Sequence, residues 1–423
     1  MRLLMACQFF PPDIGGEERH VHALAEHLAA LGHDVAVATQ QVPDAPPREI
    51  TPSGVRIHRI ATAAMALPVY STSRAHHAPL PDPRAVVELA RVVREERPQV
   101  VHAHNWIVNS LLPLRSGAAG GVGPIPRHGL VLTLHDYSNV CATKRFMYDG
   151  ALCSGPAPRR CLECSIDHYG PLVGPLTAGA TAAMRPWKKL AVDKIHCVSR
   201  AVAQHNGLAD DPRCSVVPNF VPDARLDPPP VTDGLSTELP EDYLFFAGDL
   251  SREKGVDVLL RAYAALPQPR PALVLVGRRT PDTPRELPEG AIVFESWPHP
   301  DVMRGFAGCR FAVLPSVWPD PCPTTVLEAM ATGRPVITTS TGGMIDMVRH
   351  GVSGLLVPPG DDVDLTAAMQ RLLGSPSERE YFGAAGAARV RDHFTASAVV
   401  ERLLDGYREV APASGAPTMR GSR

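Results

Sequence analysis

No apolar run in this sequence approaches the roughly 18 residues that a membrane span requires. Neither sign of charge dominates: 42 Lys and Arg stand against 44 Asp and Glu, a net charge near −2. That balance gives no electrostatic case for nucleic acid or for an anionic membrane. No GxGxxG fingerprint is present, which disfavours a dinucleotide, and no HExxH or other compact His/carboxylate set points to a catalytic metal. The opening MRLLMACQFF is broken too soon by Pro11 and Pro12 to serve as a secretory signal, and it reads as a first buried strand. A cytoplasmic enzyme is the expectation. Hydrophobic content of 44% and charged content of 20% are those of a globular protein, and 423 residues suffice for two or three domains.

What is present is an alternation. Short apolar runs at 3–7, 34–38, 55–60, 100–102, 130–134 and 194–198 are separated by helix-like stretches. This is the pattern of a parallel α/β sheet. In 17–31, Val21, Leu24, Ala25 and Leu28 share one helical face, and Gly32 ends the run. The segment 221–242 is rich in proline and acid and reads as a linker. The rhythm then restarts with strands at 243–247, 272–276, 291–294, 311–314, 335–338 and 355–357. The sequence therefore predicts an N-terminal Rossmann-like domain over 1–220 and a second over 243–395. A last helix follows at 396–410 and a tail at 411–423. Ligands of doubly wound folds sit beyond the C-terminal strand ends, so the site is expected in the cleft between the domains. Two segments break the rhythm: a loop at 61–83 with His76 and His77, and a cysteine-rich insertion at 141–169.

The most informative stretch is PSVWPDPCPTTVLEAMATGRPVI, residues 315–337. A short strand runs into a proline-rich loop carrying Asp320, and a helix-forming segment with Glu328 follows. The two carboxylates straddle a helix N-terminus, where unpaired N–H groups and the dipole favour a phosphate. A buried carboxylate beside it suits sugar hydroxyls. Elsewhere the residues leave two readings open. Gly15 and Gly16 precede a helix, as a phosphate approach or as a tight turn. His135 and Asp136 follow a strand, as sugar-binding groups or as a pair holding a loop. His102 and His104 read more as loop packing. Arg252 and Lys254 flank Glu253 at a strand–helix corner, as a diphosphate clamp or as a solvated cluster. Gly342 and Gly343 offer a second backbone phosphate contact or a turn.

Of the nine cysteines, five are scattered and read as small core residues. Cys141, Cys153, Cys161 and Cys164 cluster, with His168 following. A CxxC with two further thiols suits structural zinc, although the paired CxxC…CxxC spacing is missing. Reduced packing thiols and a disulfide are the alternatives.

Taken together, FFPPDIGGEERHVHALAEHLAALGHDVAVAT, VHAHNW, TLHDY, VVPNFV, FAGDLSREKGVDVLL, VLPSVWPDPCPTTVLEAMATGRPVITTSTGG and SGLLVPPGD resemble, in order and spacing, a retaining family 4 type glycosyltransferase (glycosyltransferase group 1) of the GT-B fold. The resemblance covers nearly the whole chain. It implies transfer of a sugar from a nucleotide diphosphate sugar, a UDP-sugar by preference, to an acceptor hydroxyl with retention. No metal or other cofactor is implied for catalysis. It places Glu328 on the donor ribose, Asp320 and His135 at the donor sugar, and Lys254 and Gly16 by the phosphates. Gly15, Arg252, Thr324 and Thr325 complete the expected donor site. The acid pair here is Asp320 and Glu328 where the family usually has two Glu. Asp249 stands where Arg is frequent after the strand-end glycine; an acid there would oppose a diphosphate, so Asp249 is expected to point away, and Arg252 is the expected substitute charge. Pro323 replaces a usual Gly and removes one N–H donor. The acceptor is open: a polysaccharide, a lipid-linked glycan or a small metabolite. MRPWKKL at 184–190 leaves a peripheral contact at the inner membrane face open beside a packed surface helix. The rivals are another reaction class on the same fold, a paired-Rossmann dehydrogenase, and a nucleotide-sugar-binding subunit with little activity.

Overall fold

The computed structural model describes residues 1–12, 15–43, 45–63, 79–116, 124–223, 239–295 and 297–412. His76 and His77, most of the expected linker and nearly all of the tail lie outside them.

Two parallel sheets organise the chain. The first has eight strands in the order Cys214–Val216, Lys194–Cys197, Gly129–Leu134, Val100–His104, Arg2–Ala6, Asp34–Gln40, Arg56–Ile60 and Arg48–Ile50. Only the last, an edge strand, is antiparallel. The second has six parallel strands in the order Ala291–Phe294, Ala272–Val276, Tyr243–Ala247, Ala312–Leu314, Val336–Thr339 and Leu355–Val357. Central strands such as Gly129–Leu134 and Tyr243–Ala247 are buried along their whole length. Helices therefore cover both faces, and unbroken apolar runs rather than alternation mark these strands. The expected strands are present to within a few residues. The two edge strands Arg48–Ile50 and Cys214–Val216 were not foreseen, because each is short and half-polar.

Each sheet has its switch point where the first strand of the domain meets its later neighbour. Arg2–Ala6 lies between Asp34–Gln40 and Val100–His104, and Tyr243–Ala247 lies between Ala272–Val276 and Ala312–Leu314. The loops leaving these strands splay apart and open a crevice.

The last helix, Ala396–Val410, returns to the N-terminal domain. Val399, Val400, Leu403, Leu404 and Tyr407 are buried in the same core as Leu3, Met5, Val35 and Val131. Glycines make room for it: a Cβ on Gly129 would stand 2.6 Å from a Val410 methyl. Tyr407 Oη lies 2.6 Å from His102 Nδ1, and His102 Nε2 lies 2.6 Å from Thr133 Oγ1. The helix expected as a separate terminal element is thus part of the first domain. The chain crosses between domains twice, and the crossings are joined. Val221 N–H donates to Phe394 O (2.8 Å), and Ala396 N–H donates to Val221 O (3.1 Å).

The cysteine-rich insertion continues into a helix, Pro158–Ala191, kinked at Gly170 (φ 82°, ψ 170°). Its length was not foreseen, because Gly170, Pro171, Pro175 and Pro186 read as breakers. Pro171 follows the kink directly, so it opens the second half, where a proline needs no N–H partner.

Tyr407→Phe tests the returning helix. Removing the hydroxyl leaves His102 Nδ1 buried without its partner, which costs about 1–3 kcal/mol. The expected result is a lower urea midpoint in equilibrium unfolding, with the secondary structure of the native state unchanged.

Candidate active site

A cleft of about 840 Å³ lies between the domains at these strand ends. Its C-terminal wall is built first from the strand Tyr243–Ala247. The chain turns at Gly248 and reaches Lys254 before the left-handed Gly255 (φ 74°). A Cβ on Gly255 would sit 1.9 Å from Pro315 O, so only glycine lets this corner meet the next loop. That loop leaves the strand Ala312–Leu314, carries Asp320, and ends at Pro323. The helix Thr324–Ala331 follows without a side-chain cap. Thr324 and Thr325 line the cleft, and Glu328 lies one turn further along the same face.

Glu328 is 3% exposed, and its Oε1 faces His299 Nε2 at 2.7 Å. Asp320 is also buried and is ion-paired to Lys254 Nζ. Lys254 Nζ further lies 5.5 Å from the centre of the Trp318 ring.

The Asp320 loop is gripped from several directions. Tyr137 donates its hydroxyl to Pro319 O from the other domain. Asn219 Nδ2, also from the other domain, donates to Cys322 O at 3.0 Å. Gly343 N–H donates to Asp320 O at 2.7 Å. A Cβ on Gly342 would stand 2.3 Å from Asp320 O, and one on Gly343 would stand 2.0 Å from Pro321 O. The pair Gly342–Gly343 therefore serves close packing behind the loop, and the N–H of Gly343 is already used. The second phosphate contact considered for this pair gives way to the turn.

On the N-terminal wall, Gly15 and Gly16 line the cleft at the start of the helix Gly16–Ala30. A Cβ on Gly15 would stand 2.3 Å from Glu18 Oε2, whereas the space beside Gly16 is open. His135 lies at the end of the strand Gly129–Leu134. Its backbone N–H donates to Asn105 Oδ1 (2.8 Å), and its Nε2 lies 2.9 Å from His104 Nδ1. Burial and the neighbouring His20 and His104 hold the His135 pKa well below that of free histidine, so its ring is neutral. Asp136 accepts from Ser138 N–H at 2.8 Å and from no ring of this cluster, so it shapes the loop. His102 and His104, expected to pack a loop, both lie within the strand Val100–His104: His102 is bonded to Tyr407 and Thr133 in the core, and His104 to His135.

Two expectations are corrected, and two expected residues prove to be joined. Arg252 does not line the cleft. It borders a neighbouring depression with Arg145, Glu253 and Arg261, because the turn from Ser251 to Gly255 points successive residues to different sides. Asp249 does line the cleft, and Arg278 neutralises it across 2.9 Å. Arg278, from a neighbouring strand end, thus answers Asp249 at the cleft where Arg252 was expected to bring charge. Lys254 and Asp320, given separate tasks, are bonded to each other.

Glu17, Arg19, Asn105, Asn219, Arg278 and His299 also line the cleft. Glu17 directly follows the glycine pair, and Asn105 and Asn219 lie in VHAHNW and VVPNFV, so their positions carried a signal. His299 carried none. Glu17 accepts from Asn105 Nδ2 at 2.7 Å, and its other carboxyl oxygen is buried without a partner. Burial first, then Glu18 and Asp136, raise its pKa from 4.5 to about 8. Asn105 holds both Glu17 and His135 from a left-handed backbone (φ 53°), a conformation asparagine tolerates.

Two such sheets facing each other across a cleft form the GT-B fold. Known proteins agree. The model of Glycosyltransferase Family 4 matches residues 14–225, and that of Glycosyl transferases group 1 matches 241–375. The chain belongs to glycosyltransferase family 4. It is 27% identical to a glycogen synthase of Mycobacterium tuberculosis (strain ATCC 25618 / H37Rv), with 96% of this chain and 94% of that protein aligned. It is 27% identical to a D-inositol 3-phosphate glycosyltransferase of Pseudarthrobacter chlorophenolicus, over 90% of this chain and 87% of that one. The fold matches sucrose-phosphate synthase of Thermosynechococcus elongatus with a TM-score of 0.69 at 19% identity, covering 97% and 99% of the two chains. Anabaena HepE in complex with UDP-glucose matches with a TM-score of 0.63 at 16% identity, covering 96% and 99%.

The raised Glu17 pKa has a consequence for stability. The native state holds this proton up to about pH 8, while the unfolded chain releases it near 4.5. Stability contributed by this group therefore falls as pH rises through that window. Glu17→Gln should flatten the fall, seen as urea midpoints that change less between about pH 5 and 8 than in the parent.

Proposed function

We propose that this family 4 enzyme is a retaining transferase that moves a sugar from a nucleotide diphosphate sugar, a UDP-sugar by preference, to an acceptor hydroxyl. The observation that carries the reading is the cleft wall on which Lys254, the uncapped start of Thr324–Ala331 and Glu328 stand together. In this reading the diphosphate lies against the helix start, where backbone N–H groups and Lys254 meet its charge. Glu328, fixed by His299, accepts from the ribose hydroxyls. Asp320 orients hydroxyls of the sugar, and its bond to Lys254 ties the sugar and phosphate subsites together. His135, with Gly15 and Gly16, faces the sugar from the opposite wall.

The reaction is a front-face displacement. The bond from the anomeric carbon to the leaving phosphate oxygen breaks, and the acceptor oxygen bonds to the same face. The acceptor proton passes to the departing phosphate oxygen, so no protein base is needed. Lys254, Arg278 and the helix start meet the growing negative charge without a metal. Closure about the paired crossings at Val221 and Thr395 would exclude the water that otherwise hydrolyses the donor. The reading keeps the protein in the cytoplasm.

A peripheral lipid contact, with a lipid-linked acceptor, is the second part of the proposal. Beyond Gly170 the long helix exposes Leu172 (82%), Leu176 (72%), Leu190 (86%) and Trp187 (47%) along one side. Residues 168–191 contain no Asp or Glu, and Arg185 and Lys189 are exposed there. Among the described residues no helix is long and apolar enough to cross a membrane.

The donor reading is tested by thermal shift and by slow hydrolysis across a panel of nucleotide sugars. A bound donor should raise the melting temperature. If none is bound or hydrolysed, the protein is a partner subunit or acts on other substrates. Glu328→Ala should weaken donor binding roughly ten- to hundredfold, the loss of a charged hydrogen bond. Undiminished binding would remove Glu328 from the ribose. For the lipid contact, the protein should sediment with anionic vesicles, and Leu172→Ser with Leu176→Ser should reduce this. No sedimentation sinks that part alone.

A further inference from the structure

We propose that Cys141, Cys153, Cys161 and Cys164 together bind one thiolate-seeking divalent cation, zinc by its chemistry, and that this metal holds the excursion between Tyr137 and the helix Pro158–Ala191.

The four cysteines line one small cavity, of about 30 Å³, away from the active-site cleft. That is room for a single water-sized occupant. They reach it from separate elements. Cys141 comes from the loop after Tyr137, Cys153 from the end of the hairpin Met147–Tyr148 with Ala151–Leu152, and Cys161 and Cys164 from the first turns of the helix. A hairpin followed by a helix carrying CxxC is a frame on which a tetrathiolate can be built. All four thiols are free of disulfide. Their sulfurs make only weak contacts: Cys141 with Thr143 Oγ1 at 3.3 Å, Cys153 with Gly155 O at 3.5 Å and Cys164 with Met147 O at 3.8 Å. Cys161 Sγ accepts from Ala157 N–H at 3.3 Å, the kind of backbone contact that supports a bound thiolate. The four residues line the cavity, but no three of their sulfurs lie within 4.8 Å of one another. Among the described residues, the one trio of potential metal ligands within 4.8 Å is His58, Glu95 and Glu96. Arg48 and Arg56 already hold that trio's carboxylates, so it reads as an ion-pair network.

The backbone supplies an independent reason. Lys144 (φ 64°), Phe146 (φ 55°) and Asp149 (φ 49°) all adopt the left-handed conformation without being glycine. Each such residue costs of order 1 kcal/mol or more. Phe146 is anchored in the main core, but the hairpin that follows it has only two residues per strand and its second strand, Ala151–Leu152, is exposed, so beyond Phe146 little burial offsets this. A short, exposed hairpin of this kind is one that a metal can staple. The same excursion carries Arg145, which reaches Glu253 of the other domain at 2.7 Å, beside Lys254. Metal binding, with release of the thiol protons, would draw the sulfurs inward by side-chain rotation and fix that reach.

The test is metal analysis of the full chain purified without added metal or chelator. The expected result is one zinc per chain, released together with four thiols by a mercurial titration. Cobalt substitution of the parent should give the intense sulfur-to-metal charge-transfer band of a tetrathiolate. Cys161→Ser with Cys164→Ser should lose the zinc, while Cys214→Ser, outside the cluster, should keep it. Metal-free protein whose four thiols alkylate freely would overturn the proposal. So would an intact mass showing disulfides, or zinc retained by the double variant. If that variant does not fold, the cobalt spectrum of the parent decides: a spectrum without sulfur ligation rejects the site.

Discussion

The grip on the Asp320 loop is the constraint on which the rest of this structure depends. The loop joins the strand Ala312–Leu314 to the helix Thr324–Ala331, so its path decides where the helix start and Glu328 stand. It has little regular bonding of its own. Tyr137 and Asn219 hold it from the first domain, Lys254 from the second, and Gly342 and Gly343 pack against its backbone. Three prolines, Pro319, Pro321 and Pro323, stiffen it further. A loop fixed from both domains also registers their relative position. The bonds that place Asp320 are thus among those that tie the two domains together.

Behind the opposite wall runs a chain of histidines, buried except for His135, which reaches the cleft. His20, His102, His104, His135 and His196 are all driven toward the neutral form, chiefly by burial. A neutral imidazole stacks and hydrogen-bonds without the desolvation penalty of a cation. The His104–His135 contact carries this order to the cleft. Tyr407, arriving on the last helix, closes the far end. The C-terminal segment therefore supports the site without touching it.

Much of the architecture was legible because parallel strands buried on both faces appear as short apolar runs. Nearly every such run became a strand. The elements that were missed carry other signals: Arg48–Ile50 and Cys214–Val216 are short edges, and the long helix is interrupted by glycine and proline. Of the site, Gly15, Gly16, His135, Lys254, Asp320, Thr324, Thr325 and Glu328 do meet at one cleft. Arg252 does not, because a tight turn separates neighbours in sequence. Arg278 and His299 could not be read, since they belong to other strand ends and helices, and nothing local distinguishes them from surface residues.

Local patterns in the chain encode the two Rossmann-like halves, the cleft at their strand ends, and the helix start flanked by Asp320 and Glu328. These follow from local periodicity and from the residues that a turn or helix end requires. The partners emerge only when the chain is folded. Folding pairs Asp320 with Lys254, Glu328 with His299, Asp249 with Arg278 and His135 with His104, and it returns the last helix to the first domain. Such pairings join residues far apart in the chain. They are fixed by which loops the two sheets bring face to face, and no local pattern encodes that.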